Sequence, residues 1–267
     1  RCRFERNASG LCAVRMGEDG LAATAHIEDC TFTDNRENPG EHSWGGALSM
    51  ARVYLDFPSS CVRCVFINNS GTYGGGIYSE GPGAVVANCT FVGNRAEAEG
   101  GAVYVEGLGH LILNCTFMDN SAPVGGAVAC DPWLGVPPID RLGIVNCIFW
   151  NNGDPFSNLD PGSLSHCVID LPDLSAFPTS CTNADPLLQP LNGNGGETLT
   201  CALSPGSPAI GRGALNDALH PRYWADLPDT DQRGAPRDPA NGPMDIGAFQ
   251  GATSAPWLTL TPDPVDV

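Results

Sequence analysis

Six segments of the chain repeat the pattern Cys-x-Phe-x-x-Asn, and nothing else in the sequence restricts the fold as strongly. The copies are Cys2/Phe4/Asn7, Cys30/Phe32/Asn35, Cys64/Phe66/Asn69, Cys89/Phe91/Asn94, Cys115/Phe117/Asn120 and Cys147/Phe149/Asn152. Successive cysteines lie 28, 34, 25, 26 and 32 residues apart, and Cys167-Val168-Ile169-Asp170 reads as a degenerate seventh copy. Between copies sits a second element, the pairs Gly45-Gly46, Gly74-Gly75, Gly100-Gly101 and Gly125-Gly126, each leading into an apolar run. A period of this length means one supersecondary unit per repeat. Short runs such as Val85-Val86-Ala87, Val103-Tyr104-Val105 and Leu111-Ile112-Leu113, bounded by Gly, Asn and Pro, read as strands. No helical spacing of apolar residues runs far enough to compete. One coil cannot bury its apolar side, whereas coils stacked ~4.8 Å apart can. The prediction is an all-β chain, a single-stranded parallel β-helix, right-handed by the crossover preference of parallel strands.

Each ladder then has a physical role. Cys and Phe, two apart, point the same way in a strand, so Cys30, Cys64, Cys89, Cys115 and Cys147 line the interior beside a file of Phe32, Phe66, Phe91, Phe117 and Phe149. Cys is small and apolar enough to fit there as a reduced filler. The ladder Asn35, Asn69, Asn94, Asn120 and Asn152 closes each strand, its amides satisfying turn backbone or its residues taking a left-handed conformation. The Gly pairs supply backbone freedom for the next corner. Cys181 and Cys201 lie off the ladder spacing and are expected to pair as a disulfide. The sequons at Asn68, Asn88 and Asn114 read more simply as parts of the repeat.

Composition narrows the function. Gly (33) and Pro (23) form about a fifth of the 267 residues, which excludes a helical bundle. No apolar run approaches the ~18 residues of a membrane helix. All the basic residues are Arg, so lysine chemistry is excluded, and the net charge of −17 argues against nucleic acid, anionic membranes and polyanionic substrates. Such acidity suits solubility outside the cell. Cys61-Val62-Arg63-Cys64 stands alone, with no second pair to complete a zinc site.

Phe-x-x-Asn followed by Gly-Gly-Ala-Val resembles the repeat of chlamydial polymorphic outer-membrane proteins and related bacterial β-helix surface proteins. The later stretch Ala184-Asp-Pro-Leu-Leu188, Asn194-Gly-Gly196, Ser204-Pro-Gly-Ser-Pro-Ala-Ile210, Thr230-Asp-Gln-Arg-Gly234 and Asp245-Ile-Gly-Ala-Phe249 resembles the closing segment of the bacterial choice-of-anchor Q domain family. Together these resemblances cover about nine tenths of the chain. They imply a secreted or surface-displayed right-handed β-helix without an implied enzymatic activity or ligand.

Residues 1–170 are expected to form the coils. Residues 171–250, rich in Pro, Gly and Asp, should wrap and close the C-terminal end of the stack, where open strand edges invite pairing. Residues 251–267 read as a linker or the start of a further module. The chain begins in mid-coil, so a cap is expected upstream, or another subunit docks there. Insertions relative to the shortest coils fall near 36–44, 51–60 and 132–141, where loops carry specific contacts. An apolar row of Ile67, Val92, Met118 and Trp150 should face outward, covered by the closing segment or else offered to a partner, with coverage the favoured reading.

The sharpest candidate site comes from aligning the strands after the Gly pairs. With Val103 and Val105 inside, Tyr104 and Glu106 face out, and Tyr78, Glu80 and Asp131 occupy equivalent places. Glu80, Glu106 and Asp131 would stack at ~4.8 Å steps, a separation that suits the carboxylate pairs of glycosidases. Tyr78, Tyr104 and Trp133 beside them could stack on sugar rings. A hydrated acidic face is the plainer alternative. Asp226, Asp229, Asp231 and Asp245 form a weak Ca²⁺ candidate without a defined calcium-loop spacing; no other cofactor is implied. The five His residues share no ladder position, and polygalacturonase signatures are absent. Three functions follow: a non-catalytic structural or adhesive module of a larger envelope protein, contacting its own flanking domains; a carbohydrate-binding or carbohydrate-cleaving β-helix; or a filament subunit stacking on identical copies.

Overall fold

The computed structural model describes residues 1–9, 12–16, 26–37, 44–50, 59–131, 142–214, 227–237 and 244–251. Among these residues the strands fall into four parallel sheets; the first four turns of the chain visit all four in the same order, and the next two skip the short corner sheet. Val65–Ile67 lies in a first sheet with Phe at its centre, Ser70–Tyr73 in a short corner sheet, Ile77–Glu80 in a sheet carrying the tyrosines, and Val85–Ala87 in a back sheet. Thr90–Val92 then returns to the first sheet, one coil higher. The fold is a parallel β-helix.

The register brings Phe4, Phe32, Phe66, Phe91, Phe117 and Phe149 into one file. From Phe32 to Phe149 neighbouring ring centroids stand 4.7 to 4.8 Å apart and nearly parallel. The strand spacing sets that distance, so the aromatic stack and the backbone ladder share one repeat.

Two corners flank this sheet, and both need a left-handed residue. Before the cysteines these are Asp29, Arg63, Asn88, Asn114, Asn146 and His166; before the asparagines they are Asp34, Asn68, Gly93, Asp119 and Asn151, all at positive φ. The ladder Asn itself is therefore not the left-handed residue. It acts through its amide: Asn94 Oδ1 accepts from the backbone N–H and the Nδ2 of Asn69, while Asn94 Nδ2 donates to Asn120 Oδ1 and to the Phe66 carbonyl. Asn35, Asn69 and Asn120 repeat this pattern. In Asn35, Asn69, Asn94 and Asn120 the amide oxygen and both amide protons are thus used.

The cysteines form a second hydrogen-bonded file. Each thiol donates to the carbonyl two residues earlier, at 3.1 to 3.3 Å for Cys30, Cys64, Cys89, Cys115, Cys147 and Cys167. From Cys64 to Cys147 each also accepts the N–H of the preceding rung at 3.4 Å. Gly46, Gly75, Gly101 and Gly126 stack so closely that a Cβ on any of them would overlap the carbonyl of Gly75, Gly101, Gly126 or Asn152 respectively. This close approach explains the Gly pair.

The closing segment follows the expected path only in its first part. Residues as far as Thr182 close the C-terminal end: Phe156 meets Phe149 edge to face, and Leu171, Leu174 and Phe177 pack on the open end of the core. The remainder runs back along the outside of the coils instead of over their end. Leu227 and Met244 cover Leu111 and Val145 on the back sheet, while Leu203, Ala209 and Ile246 cover Ile148 and Val168 on the first. Thr198 reaches the carbonyl of Arg63, and Glu197 pairs with Arg1 near the first coil. The outward Trp150 packs with Leu188 and Phe249 beneath this strap.

Cys181 and Cys201 do not form the expected pair; both are free thiols, as are the other cysteines. The reason is positional. Thr182 bridges Val168 in parallel register and donates to the Cys167 carbonyl, which sets Cys181 one rung above Cys167, while Cys201 is buried near Asp119 in the strap.

At the start of the back-sheet strand His110–Leu113, His110 is fully buried. Its Nε2 lies 3.3 Å from the Glu106 carbonyl, and its Nδ1 has no partner. Burial lowers its pKa from 6.5 to about 4. The unfolded chain therefore binds the proton first, so this contribution is constant above pH ~6.5 and lost as pH falls toward 4. The loss amounts to about 3 kcal/mol by pH 4. His110→Phe should flatten that part of the stability profile in urea titrations at pH 7, 5.5 and 4. A profile unchanged by the substitution would refute this assignment.

Candidate functional site

The outward face of the tyrosine sheet holds the candidate site. The register sets Tyr78 beside Tyr104 and Glu80 beside Glu106, with Ala129 next to Tyr104 one coil on. Asp131, just past the strand, donates its backbone N–H to the Val105 carbonyl. The inward Val103, Val105 and Val128 belong to the core. Trp133 and Asp226 lie outside the described residues.

The two tyrosines are not open platforms. Tyr78 and Tyr104 are only 4 % and 7 % exposed. They stack on each other at 5.7 Å, Trp44 leans on Tyr78 at 5.0 Å, and Tyr73 leans on Tyr104 at 5.1 Å. Trp44 and Tyr73 in turn stack at 5.4 Å. Trp44, 43 % exposed, presents the accessible aromatic face of this cluster. The expectation that sugar rings would stack on Tyr78 and Tyr104 is corrected accordingly, because their own neighbours already cover them.

The acids separate into two groups. Tyr78 Oη donates to Glu106 Oε2 at 2.6 Å, and burial followed by this hydrogen bond pushes the Tyr78 phenol far up. Glu80 stands close enough to add to that rise. Farther along, Asp131 faces Glu99 and Tyr104. Burial and then Asp131 raise the Glu99 carboxyl, and Glu99 Oε2 is buried without a hydrogen bond.

A cavity of about 400 Å³ opens beside the first group, lined by Tyr78, Glu80 and Glu106 together with Arg15, Ser49, Trp44 and Cys12. Arg15 and Ser49 are register partners on the two preceding coils, directly below Tyr78. The site therefore combines one aromatic face, two carboxylates, a guanidinium and a hydroxyl. Such a mixture suits a neutral polyhydroxylated ligand better than an apolar one. Sequence reasoning missed Arg15, Ser49, Trp44, Tyr73 and Glu99. Extending the alignment one strand downward would have found Arg15 and Ser49; Trp44 stands immediately before a Gly pair, as Tyr73 does, and that shared place was a usable signal.

Two of the aspartates proposed for Ca²⁺, Asp231 and Asp245, make strap contacts. Asp231, fully buried, accepts from the Arg233 guanidinium and from the backbone of Arg233, Ala235 and Gln250. Asp245 accepts from the backbone of Gly211 and Gly251. Beside them the buried Arg237 donates to the carbonyls of Asp245 and Gly247, and burial lowers its pKa to about 10. Among the described residues no three His, Cys, Asp or Glu side chains are placed to hold a metal ion. Among them, too, no helix is long and apolar enough to cross a membrane.

The family model of the Chlamydia polymorphic membrane protein (Chlamydia_PMP) repeat matches residues 63–80 and 88–106. These stretches run from the residue before a ladder Cys to the end of the next tyrosine-sheet strand, and they hold Tyr78, Glu80, Tyr104 and Glu106. No curated protein and no solved structure matches the chain.

Proposed function

We propose that this chain is a surface-displayed bacterial β-helix module that binds glycans without cleaving them, using Trp44 and the acid-lined cavity beside it. The exposed Trp44 ring over a cavity bounded by Glu80, Glu106, Arg15 and Ser49 carries the reading. An aromatic face with polar groups at its rim is how a protein holds a sugar, whose ring is apolar on its faces and polar at its edge. The repeats shared with polymorphic membrane proteins support display at a cell surface, as does the resemblance of the closing segment to the choice-of-anchor Q family. The acidic net charge supports an extracellular setting. Against cleavage, one carboxylate oxygen of Glu106 is already held by Tyr78.

A polysaccharide and oligosaccharide panel tests this directly. Trp44→Ala should weaken retention of whichever glycan binds by about tenfold, the loss of one stacked aromatic anchor. Glu106→Gln should change retention only a few-fold, and neither protein should release reducing ends. Reducing-end release that Glu106→Gln abolishes would make the chain a carbohydrate-cleaving enzyme instead. Failure to retain any glycan would leave the structural module, and concentration-dependent filaments in light scattering would favour the stacking subunit.

A further inference from the structure

The geometry points to Cys181 and Cys167 as a thiol–disulfide exchange site: Cys181 reacts with a low-molecular-weight disulfide, and Cys167 resolves the adduct into an intramolecular disulfide that pins the end cap. This inference is independent of glycan binding.

Three observations carry it. The first is register. Thr182 bridges Val168 in parallel and donates to the Cys167 carbonyl at 2.9 Å, and Ile169 donates to Thr182 at 2.8 Å. The two cysteines precede these partners, so their backbones stand at the ~4.8 Å spacing of neighbouring strands. That lies within the ~4.4–6.8 Å Cα separation that a disulfide spans. The second is packing: Cys181 lies against the core cluster that contains Cys167, and each thiol stands near enough to perturb the other's titration. The third is access. The interior rungs Cys64, Cys89, Cys115 and Cys147 are fully buried between neighbours, whereas Cys181 is partly exposed at the end of the file and has Cys167 beneath it. The asymmetry of the pair suits the two roles. The neighbouring Cys167 lowers the Cys181 pKa and favours its thiolate, while burial raises that of Cys167.

The exchange balances without further reagents. Cys181 gives its proton to solvent, and its thiolate attacks one sulfur of oxidised glutathione, expelling a glutathione thiolate. Cys167 then loses its proton and attacks the Cys181 sulfur, expelling the second glutathione thiolate. The two released thiolates take up the two protons. Two protein thiols are oxidised and one external disulfide is reduced. The loop so closed contains Leu171, Leu174 and Phe177, the side chains that seal the end of the core. Oxidation therefore ties the cap to the last ladder cysteine.

The full chain, reduced and then held under native conditions with oxidised glutathione at pH 8, should lose about 2 Da and yield one cross-linked peptide joining Cys167 to Cys181 after acid quench, alkylation and digestion. The other ten cysteines should remain alkylatable after unfolding. Cys167→Ser should stop at a single glutathione adduct on Cys181, and Cys181→Ser should leave Cys167 unmodified. Should Cys167→Ser fail to fold, the wild-type peptide map and Cys181→Ser still decide the matter. A wild-type protein that keeps Cys181 alkylatable, accumulates an unresolved adduct there, or links Cys181 between two chains would overturn the assignment.

Discussion

Asn94→Ala is expected to lower the unfolding free energy by about 4 kcal/mol, more than its small change in side-chain volume implies. The side chain is fully buried at the middle of its ladder and takes part in four amide contacts. Its removal leaves the N–H and one Nδ2 proton of Asn69 without their acceptor and the Phe66 carbonyl without its donor. Each such orphaned group costs about 1–3 kcal/mol, and partial relaxation keeps the sum below the arithmetic maximum. Asn94→Asp separates hydrogen-bond loss from volume loss. It keeps an acceptor for Asn69 but points a carboxylate oxygen at Asn120 Oδ1 and the Phe66 carbonyl, both acceptors. Those contacts hold the carboxyl protonated, so its folded-state pKa rises above the unfolded value. The stability of Asn94→Asp should therefore improve below the ordinary carboxylate range and fall as pH rises above it. Urea unfolding followed by circular dichroism at pH 3.5 and 7 reads both effects. An Asn94→Ala loss under 1 kcal/mol, or an Asn94→Asp loss independent of pH, would show that the ladder amides are not coupled as described.

The ladders were legible in the sequence because each is made of one residue type at one place in a recurring frame. Cys30 through Cys147 and Phe32 through Phe149 identify their own register, and the register alone sets Tyr78 beside Tyr104 and Glu80 beside Glu106. The burial of those tyrosines was not legible. It depends on Tyr73, at the end of the strand Ser70–Tyr73, and on Trp44, bridged to it, which lie down over them. The path of the strap was hidden for a related reason. Its anchoring contacts join Gln232 to Cys64 and Thr90, and Ala248 to Thr116, across more than a hundred residues with no period to announce them. Cys181 was misread as lying off the ladder because only 14 residues separate it from Cys167, against 20 or more between earlier rungs. The end cap shortcuts across the core instead of making a full coil, and so delivers the last cysteine early.

Phe91→Ala, the other large effect, tests whether the core behaves as a continuous aromatic column. Phe91 is fully buried, with Phe66 at 4.8 Å on one side and Phe117 at 4.7 Å on the other. Truncation removes both stacking partners and leaves a ring-sized void whose walls are held apart by the ladder hydrogen bonds above and below. The coil spacing is fixed by the backbone, so the neighbouring rings cannot close the gap, and the loss should reach about 4 kcal/mol. Phe4 provides the internal control. It is only partly buried and has one stacked neighbour, Phe32, at 4.9 Å. Phe4→Ala should cost about 1–2 kcal/mol, since less area is uncovered and the site is open to collapse and to water. The ratio between the two variants matters more than either value, because errors in the unfolded-state reference affect both alike. Equal losses at the two positions, measured by urea unfolding at one pH, would mean that stability is set coil by coil and that stacking along the column contributes little.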